Sequence, residues 1–184
     1  MAQAESHHSL PAPKFDDHTP HLLIVISPYY KDVADNLLAG AKAAITASGA
    51  TYDVAEVPGA LEVPIAIRLA CNNNKYQGYV ALGSIIRGET THYDTVCNDS
   101  SRGLSELGLQ GLCIGNGILT VENRDQAKVR ADYQGQNKGG GAAEAALHLI
   151  ALNNRFNKPT SGIGFKPASE NIIIADKTNG KTTV

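Results

Sequence analysis

Between residues 83 and 94 the chain reads Gly-Ser-Ile-Ile-Arg-Gly-Glu-Thr-Thr-His-Tyr-Asp, a run holding two hydroxyls, charges of both signs and an imidazole. Thr90 and Thr91, after the loop-forming Gly88, suit an anion, because hydroxyls and free amides at a helix start attract negative charge. His92 can exchange protons near neutral pH. Elsewhere, Tyr29 could stack on a flat heterocycle or be a half-buried aromatic at a strand end. Glu62 could hold an amide or a polyol, or be a first-turn carboxylate favoured by the helix dipole. Arg130 and Lys138 could meet an anion or remain solvated. Each is weak alone; together they suit a small planar substrate and a phosphorylated one, with His92 moving protons. No G-x-S-x-G elbow and no H-E-x-x-H pair occurs, and Gly115-x-Gly117 has Thr120 where a dinucleotide fingerprint needs its third glycine. Cys71, Cys97 and Cys113 are an odd set without C-x-x-C spacing, which argues against a disulfide framework or a zinc knuckle. Cys113 reads as a small buried hydrophobe.

These groups need elements to position them. His21–Ser27 is a continuous β-branched run, the pattern of a parallel strand covered on both faces, and it stops at Pro28. A helix from Val33 to about Ser48 follows, with Asp32 as its expected cap and Gly49 closing it. Thr51–Val57 reads as the second strand, broken at Pro58-Gly59, before a helix that runs through Cys71 to the Asn72-Asn73-Asn74 stop. Gly78–Leu82 is the third strand, and the 83–94 run leads from it to a helix over Thr95–Leu107. Leu112–Ile114 reads as a fourth strand broken by Gly115-Asn116-Gly117. A helix starting near Thr120 and Glu122 ends at about Ala131, and a last helix spans Ala142–Leu152.

Fourfold strand–helix alternation predicts a single-domain, open, parallel four-stranded sheet with helices on both faces, a flavodoxin-like three-layer α/β/α arrangement. Segments Pro28–Tyr30, Pro58–Glu62, Ser84–Thr90 and Gly115–Leu119 then all follow strand carboxyl ends, the edge where such sheets bind ligands. Residues 1–20 read as a flexible polar arm, with His7 and His8 solvated, 21–153 as the domain and 154–184 as a disordered polar tail, apart from an apolar cluster at Ile172–Ala175. The chain is 42% hydrophobic with a formal charge of −2 and no dense Lys/Arg cluster, which argues against a nucleic-acid partner. No apolar run nears the roughly 18–20 residues that span a bilayer. Residues 1–20 have no signal-peptide core, so a cytoplasmic location is expected.

Four separated motifs, PGALEVP (58–64), GSIIRGETTHYD (83–94), GNGILTVENRDQA (115–127) and NKGG (137–140), resemble the 6,7-dimethyl-8-ribityllumazine synthase family in the right order across residues 20–153. The resemblance implies the penultimate step of riboflavin biosynthesis. There 5-amino-6-(D-ribitylamino)uracil condenses with 3,4-dihydroxy-2-butanone 4-phosphate, releasing phosphate and water, with no metal or organic cofactor. It implies that Tyr29 stacks on the pyrimidine, that Ala60, Leu61 and Glu62 hold its ribityl chain, and that Ser84, Ile85 and Ile86 bond its edge. Glu89 and Thr90 fall where the family holds the butanone phosphate, and His92 where it has its proposed proton donor. Asn116, Arg130 and Lys138 match positions that reach in from the adjacent subunit, Arg130 clamping the phosphate.

The chain departs from the family pattern at several points. Pro28-Tyr29-Tyr30 replaces an Arg-Phe-Asn type, Asn116 replaces an aromatic, and Glu89 sets a carboxylate beside a phosphate site, where it must point away or pair with a cation such as Arg87. The resemblance implies homopentamers, some of which in the family pack into hollow capsids. Here DYQGQN (132–137) stands where capsid formers carry a GTKAGN-like loop, so a free pentamer is expected. A rival reading keeps the scaffold as a non-catalytic flavin- or lumazine-binding storage protein. A flavodoxin-like electron carrier would leave Thr90, Thr91, His92 and Arg130 without a task.

Overall fold

A run of apolar residues such as Leu22–Ile26 can be buried along its whole length only if both faces of its strand are covered, and in the computed structural model they are. The structure describes residues 10–15 and 18–157. In chain order the elements are β1 (His21–Ile26), α1 (Lys31–Ala47), β2 (Thr51–Glu56), α2 (Glu62–Cys71), β3 (Gly78–Ile86), α3 (His92–Leu109), β4 (Ile114–Val121), α4 (Arg124–Ala131) and α5 (Lys138–Asn157). The strands form one all-parallel sheet in the order β2-β1-β3-β4. Side chains alternate along a strand. Leu22, Ile24, Ile26, Val80 and Leu82 therefore meet α1, α4 and α5 on one face, while Leu23, Val25, Tyr79 and Ala81 meet α2 and α3 on the other. The expected three-layer α/β/α architecture is present.

β4 differs from its expected form. Gly115-Asn116-Gly117 does not break the strand but lies within it, with Asn116 paired to Ala81. The glycines serve packing: a Cβ at Gly115 would stand 1.8 Å from the Ala142 carbonyl oxygen, and one at Gly117 would stand 2.9 Å from Ala142 Cβ. Both face α5, which crosses too closely for a side chain. Segment Gly115–Leu119 is thus mid-strand rather than at the ligand edge, and Thr120 lies within β4, which ends at Val121, instead of opening a helix. α4 begins later, where Asn123 accepts a hydrogen bond from the Gln126 amide at 3.0 Å.

α5 is longer than expected at both ends. Asn137 accepts a bond from the Gly140 amide at 3.0 Å, and Gly139–Gly141 are all helical; at Gly139 α5 crosses α1 so closely that a Cβ would lie 2.0 Å from Leu37 O. At the other end the helix runs past the expected Leu152 through Asn157, into the segment expected to be tail; residues 158–184, with the Ile172–Ala175 cluster, lie outside the described residues. β3 runs on through Ser84–Ile86 and α3 starts at His92 rather than Thr95. At α1 it is Tyr30, not Asp32, that occupies the N-cap. The described part of the arm is tied to the domain: the Phe15 amide donates to Ser48 O at 3.1 Å, its ring packs on the core, and His18 Nε2 lies 3.1 Å from Asn154 Nδ2. His7 and His8 fall outside the described residues. Cys113 is buried, and burial pushes its thiol up.

At the amino edge, Asp53 accepts bonds from Lys75 Nζ at 2.5 Å and Tyr76 Oη at 2.9 Å, with His21 Nε2 at 3.2 Å. Chiefly the lysine, then the tyrosine and histidine, hold its carboxyl at about 2, below the ordinary 3.8. A depressed carboxylate stabilises the fold fully above the unfolded value and loses that contribution as pH falls towards the folded one. Asp53→Asn should therefore lower the melting temperature at neutral pH and flatten its fall between pH of about 4 and about 2, read by thermal melts across that window. Gly115→Ala should destabilise by about 3 kcal/mol in urea titration, because the obstructing atom is backbone and cannot rotate away.

Candidate active site

Three strand ends open into a cavity of about 330 Å³ at the carboxyl edge of the sheet. The β1–α1 turn contributes Ser27, Tyr29 and Tyr30; the β2–α2 turn contributes Gly59, Ala60, Leu61 and Glu62. The end of β3 and the start of α3 contribute Ser84, Ile85, Ile86, Gly88, Thr90, His92, Tyr93 and Val96.

Pro28 ends β1, so the chain turns at once into α1 and leaves Tyr29 74% exposed at the rim. Its ring meets Tyr30 edge-on at 5.1 Å. Tyr30 is fixed from behind by the core and by the Arg124 guanidinium, 5.5 Å from its ring centre and itself bonded to Asp32 at 2.7 Å. At the second turn a side chain on Gly59 would come within 2.8 Å of Glu62 Oε2, so the glycine lets that carboxylate lie back along its own loop.

Ser84 Oγ is buried and has no hydrogen-bond partner among the described residues. An unpaired buried hydroxyl costs about 1–3 kcal/mol, which a ligand's polar edge would relieve. Beyond β3, Thr90 Oγ1 accepts a long bond from the His92 amide at 3.4 Å. Thr91 stands at the N-cap of α3 without a side-chain cap; the Asp94 amide donates to Thr91 O at 3.0 Å, and the Tyr93 amide between it and His92 is the first-turn donor left for an anion among the described residues. Burial, and then a bond to Cys97, push the Tyr93 hydroxyl up. Among the described residues no three His, Cys, Asp or Glu side chains converge as a metal ion would need.

Nine of the sequence-derived candidates meet in this cavity: Tyr29, Ala60, Leu61, Glu62, Ser84, Ile85, Ile86, Thr90 and His92. Four do not line it. Glu89 is exposed, and Arg87 is held by Glu122 at 2.8 Å and Asp94 at 3.3 Å rather than by Glu89. Asn116 sits in the middle of β4, where its Oδ1 accepts from the Ile118 amide at 2.9 Å. Arg130 is half-buried on α4, donating to Gln126 O at 3.3 Å, and Lys138 is exposed at the first turn of α5. The lining therefore carries Glu62 and His92 but no lysine or arginine. The lining also holds Tyr30, Gly59 and Gly88, which fall within the segments expected at the ligand edge but have no role of their own in the sequence reading, and Ser27, Tyr93 and Val96, which sequence reasoning did not place there. Ser27 and Tyr93 adjoin expected residues. Val96 lies one helical turn after His92, a spacing hidden by the later helix start.

A cavity so built belongs to the class of parallel α/β proteins that bind small polar molecules at their strand ends. Comparison with known proteins narrows that class. A family model described as 6,7-dimethyl-8-ribityllumazine synthase matches residues 19–154. A protein of that name from Jannaschia sp. (strain CCS1) is 52% identical over 171 residues, covering 93% of this chain and 95% of its own. Proteins of the same name are 52% identical over 136 residues in Sphingopyxis alaskensis (74% of this chain, 96% of that one) and 54% over 143 residues in Agrobacterium fabrum (74% and 97%). The chain belongs to the 6,7-dimethyl-8-ribityllumazine synthase family.

Ser84→Ala removes a hydroxyl that has no partner among the described residues, so its melting temperature should hold or rise. The same variant should bind a uracil-type heterocycle more weakly by ~0.5–1.5 kcal/mol, measured by calorimetric titration.

Proposed function

We propose that the protein is a 6,7-dimethyl-8-ribityllumazine synthase, joining 5-amino-6-(D-ribitylamino)uracil to 3,4-dihydroxy-2-butanone 4-phosphate with release of phosphate and water. The observation that carries this reading is the 52% identity over 93% of the chain to a protein of that name. The meeting of Tyr29, Glu62, Ser84, Thr90 and His92 in one cavity supports it.

In this reading Tyr29 stacks on the pyrimidine, the 60–62 turn holds the ribityl chain, and Ser84–Ile86 bond the heterocycle's edge. The pyrimidine amine attacks the butanone carbonyl and loses water to form an imine. Phosphate then leaves by elimination, and ring closure with loss of a second water completes the product. His92 carries protons between these steps, and Thr90 with the Tyr93 amide receives the phosphate. Held side by side, two reactants need no encounter during reaction, an advantage of up to ~7–11 kcal/mol.

Charge balance supports a site shared between subunits. A departing phosphate needs cations, and the cavity lining of one chain has none, while Arg130 and Lys138 stand outside it. Exposed apolar side chains on α2, Ile65 at 59% and Leu69 at 68% exposure, give a neighbouring copy something to cover. We place the protein in a free pentamer in which each cavity receives Asn116, Arg130 and Lys138 from the adjacent subunit. Both substrates are small and strongly polar, one of them a phosphate ester, which favours action in the cytoplasm. No helix among the described residues is long and apolar enough to cross a membrane.

Mixing both substrates with the protein and following lumazine absorbance with phosphate release tests the activity; tight ligand binding with neither signal would overturn it. His92→Ala should slow turnover about 10²-fold yet leave product forming, the loss of one acid–base group. Arg130→Ala should raise KM for the phosphorylated substrate roughly 10- to 100-fold, since charged hydrogen bonds are worth ~1.5–3 kcal/mol. Sedimentation should give a mass near five times that of the chain; a value near one subunit or near sixty would exclude the free pentamer.

A further inference from the structure

The five-residue loop between β3 and α3, residues 87–91, leads directly into His92, yet little holds it. Gly88, Glu89, Thr90, Thr91 and His92 are all exposed, and a side chain on Gly88 would meet nothing within 4 Å. The bond between the His92 amide and Thr90 is long, at 3.4 Å. A loop so loosely packed would spread its hydroxyls and imidazole over many positions, and misplacement by about 1 Å can cost ~10²-fold in rate.

One residue gathers its ends. The Arg87 amide donates to Val121 O at 3.0 Å, pinning the loop's start to the end of β4. Its guanidinium donates through Nε to Glu122 at 2.8 Å and through Nη1 to Asp94 at 3.3 Å, and lies 4.0 Å from the centre of the Tyr93 ring. Glu122 just follows β4, while Asp94 and Tyr93 are in the first turn of α3. Tyr93 itself lines the cavity next to His92. A planar, forked cation can satisfy two carboxylates and stack on a ring at once, which an ammonium cannot.

We propose that Arg87 is a positioning residue: by joining Glu122, Asp94 and the Tyr93 ring it fixes the start of α3 and so sets His92 and Thr90 against the reacting groups. This rests on the lumazine synthase reading of the cavity. Arg87 is 41% exposed, and ion pairs at such sites add little to stability, so its effect belongs to the geometry of the loop.

The test compares wild type, Arg87→Gln, Arg87→Lys, Glu122→Gln and the Arg87→Gln/Glu122→Gln pair in the assembled protein. Arg87→Gln should lower kcat ~10-fold, by displacing His92, with KM for the pyrimidine within about twofold and an unchanged melting temperature. Arg87→Lys should recover only part of the loss, because it keeps the charge without the stack. The paired variant should fall little below Arg87→Gln, since both changes break one unit. Hydrogen exchange of the 87–93 amides reads positioning without turnover and should be faster in Arg87→Gln. Wild-type kcat in Arg87→Gln, or a loss that tracks the melting temperature, would overturn the proposal. If wild type made no product while exchange in the variant still rose, the functional reading would fall and the clamp would stand; unchanged exchange would remove the clamp itself.

Discussion

Burial of β1 and β3 on both faces is the constraint from which the rest of the molecule follows. With Leu22–Ile26 and Tyr79–Leu82 sealed between helices, a charged side chain along either stretch would carry a heavy desolvation cost. Chemistry is pushed to where the strands leave the sheet. The parallel arrangement puts those exits on one side, so the β1–α1, β2–α2 and β3–α3 turns meet around a single cavity although they lie tens of residues apart in sequence. Ser84 marks the boundary, because its hydroxyl is still buried but already faces a space that a ligand can fill.

Helix α5 sets a second constraint. It crosses α1 and β4 so closely that Gly139 and Gly115 have no room for a methyl group. This crossing explains which features were legible in the sequence and which were not. β1 and α1 carry their own evidence, in continuous apolarity and helical spacing, and their expected bounds differ from the structure by only one or two residues, whereas β3 shows its start at Gly78 but not its continuation through Ile86. Gly115, Gly117 and Gly139–Gly141 look like breakers because glycine is usually read as local freedom. At Gly115, Gly117 and Gly139 it answers contact with an element tens of residues away, and only the assembled fold reveals that. The error displaced Asn116 from mid-strand to the ligand edge and shortened α5.

The site was legible where it follows strand ends. Tyr29, Glu62, Ser84, Thr90 and His92 were found because proline or glycine punctuates the preceding strand and the polar groups come straight after. Tyr93 and Val96 escaped because α3 starts three residues earlier than its apolar pattern indicates. Arg130 and Lys138 can be explained only through the proposed neighbour. Glu89, awkward beside a phosphate, is exposed and off the cavity lining, and the cation offered to it, Arg87, is taken by Glu122 and Asp94.

In the proposed pentamer each working site takes His92 from one chain and Arg130 from the next. Co-assembling His92→Ala with Arg130→Ala subunits tests it, because a mixed ring then contains some sites with both native groups. Random mixing in a head-to-tail ring should bring lumazine formation, at limiting phosphorylated substrate, to roughly a quarter of the wild-type rate, well above either variant alone. A mixture no faster than the average of the two separate variants would contradict the shared site.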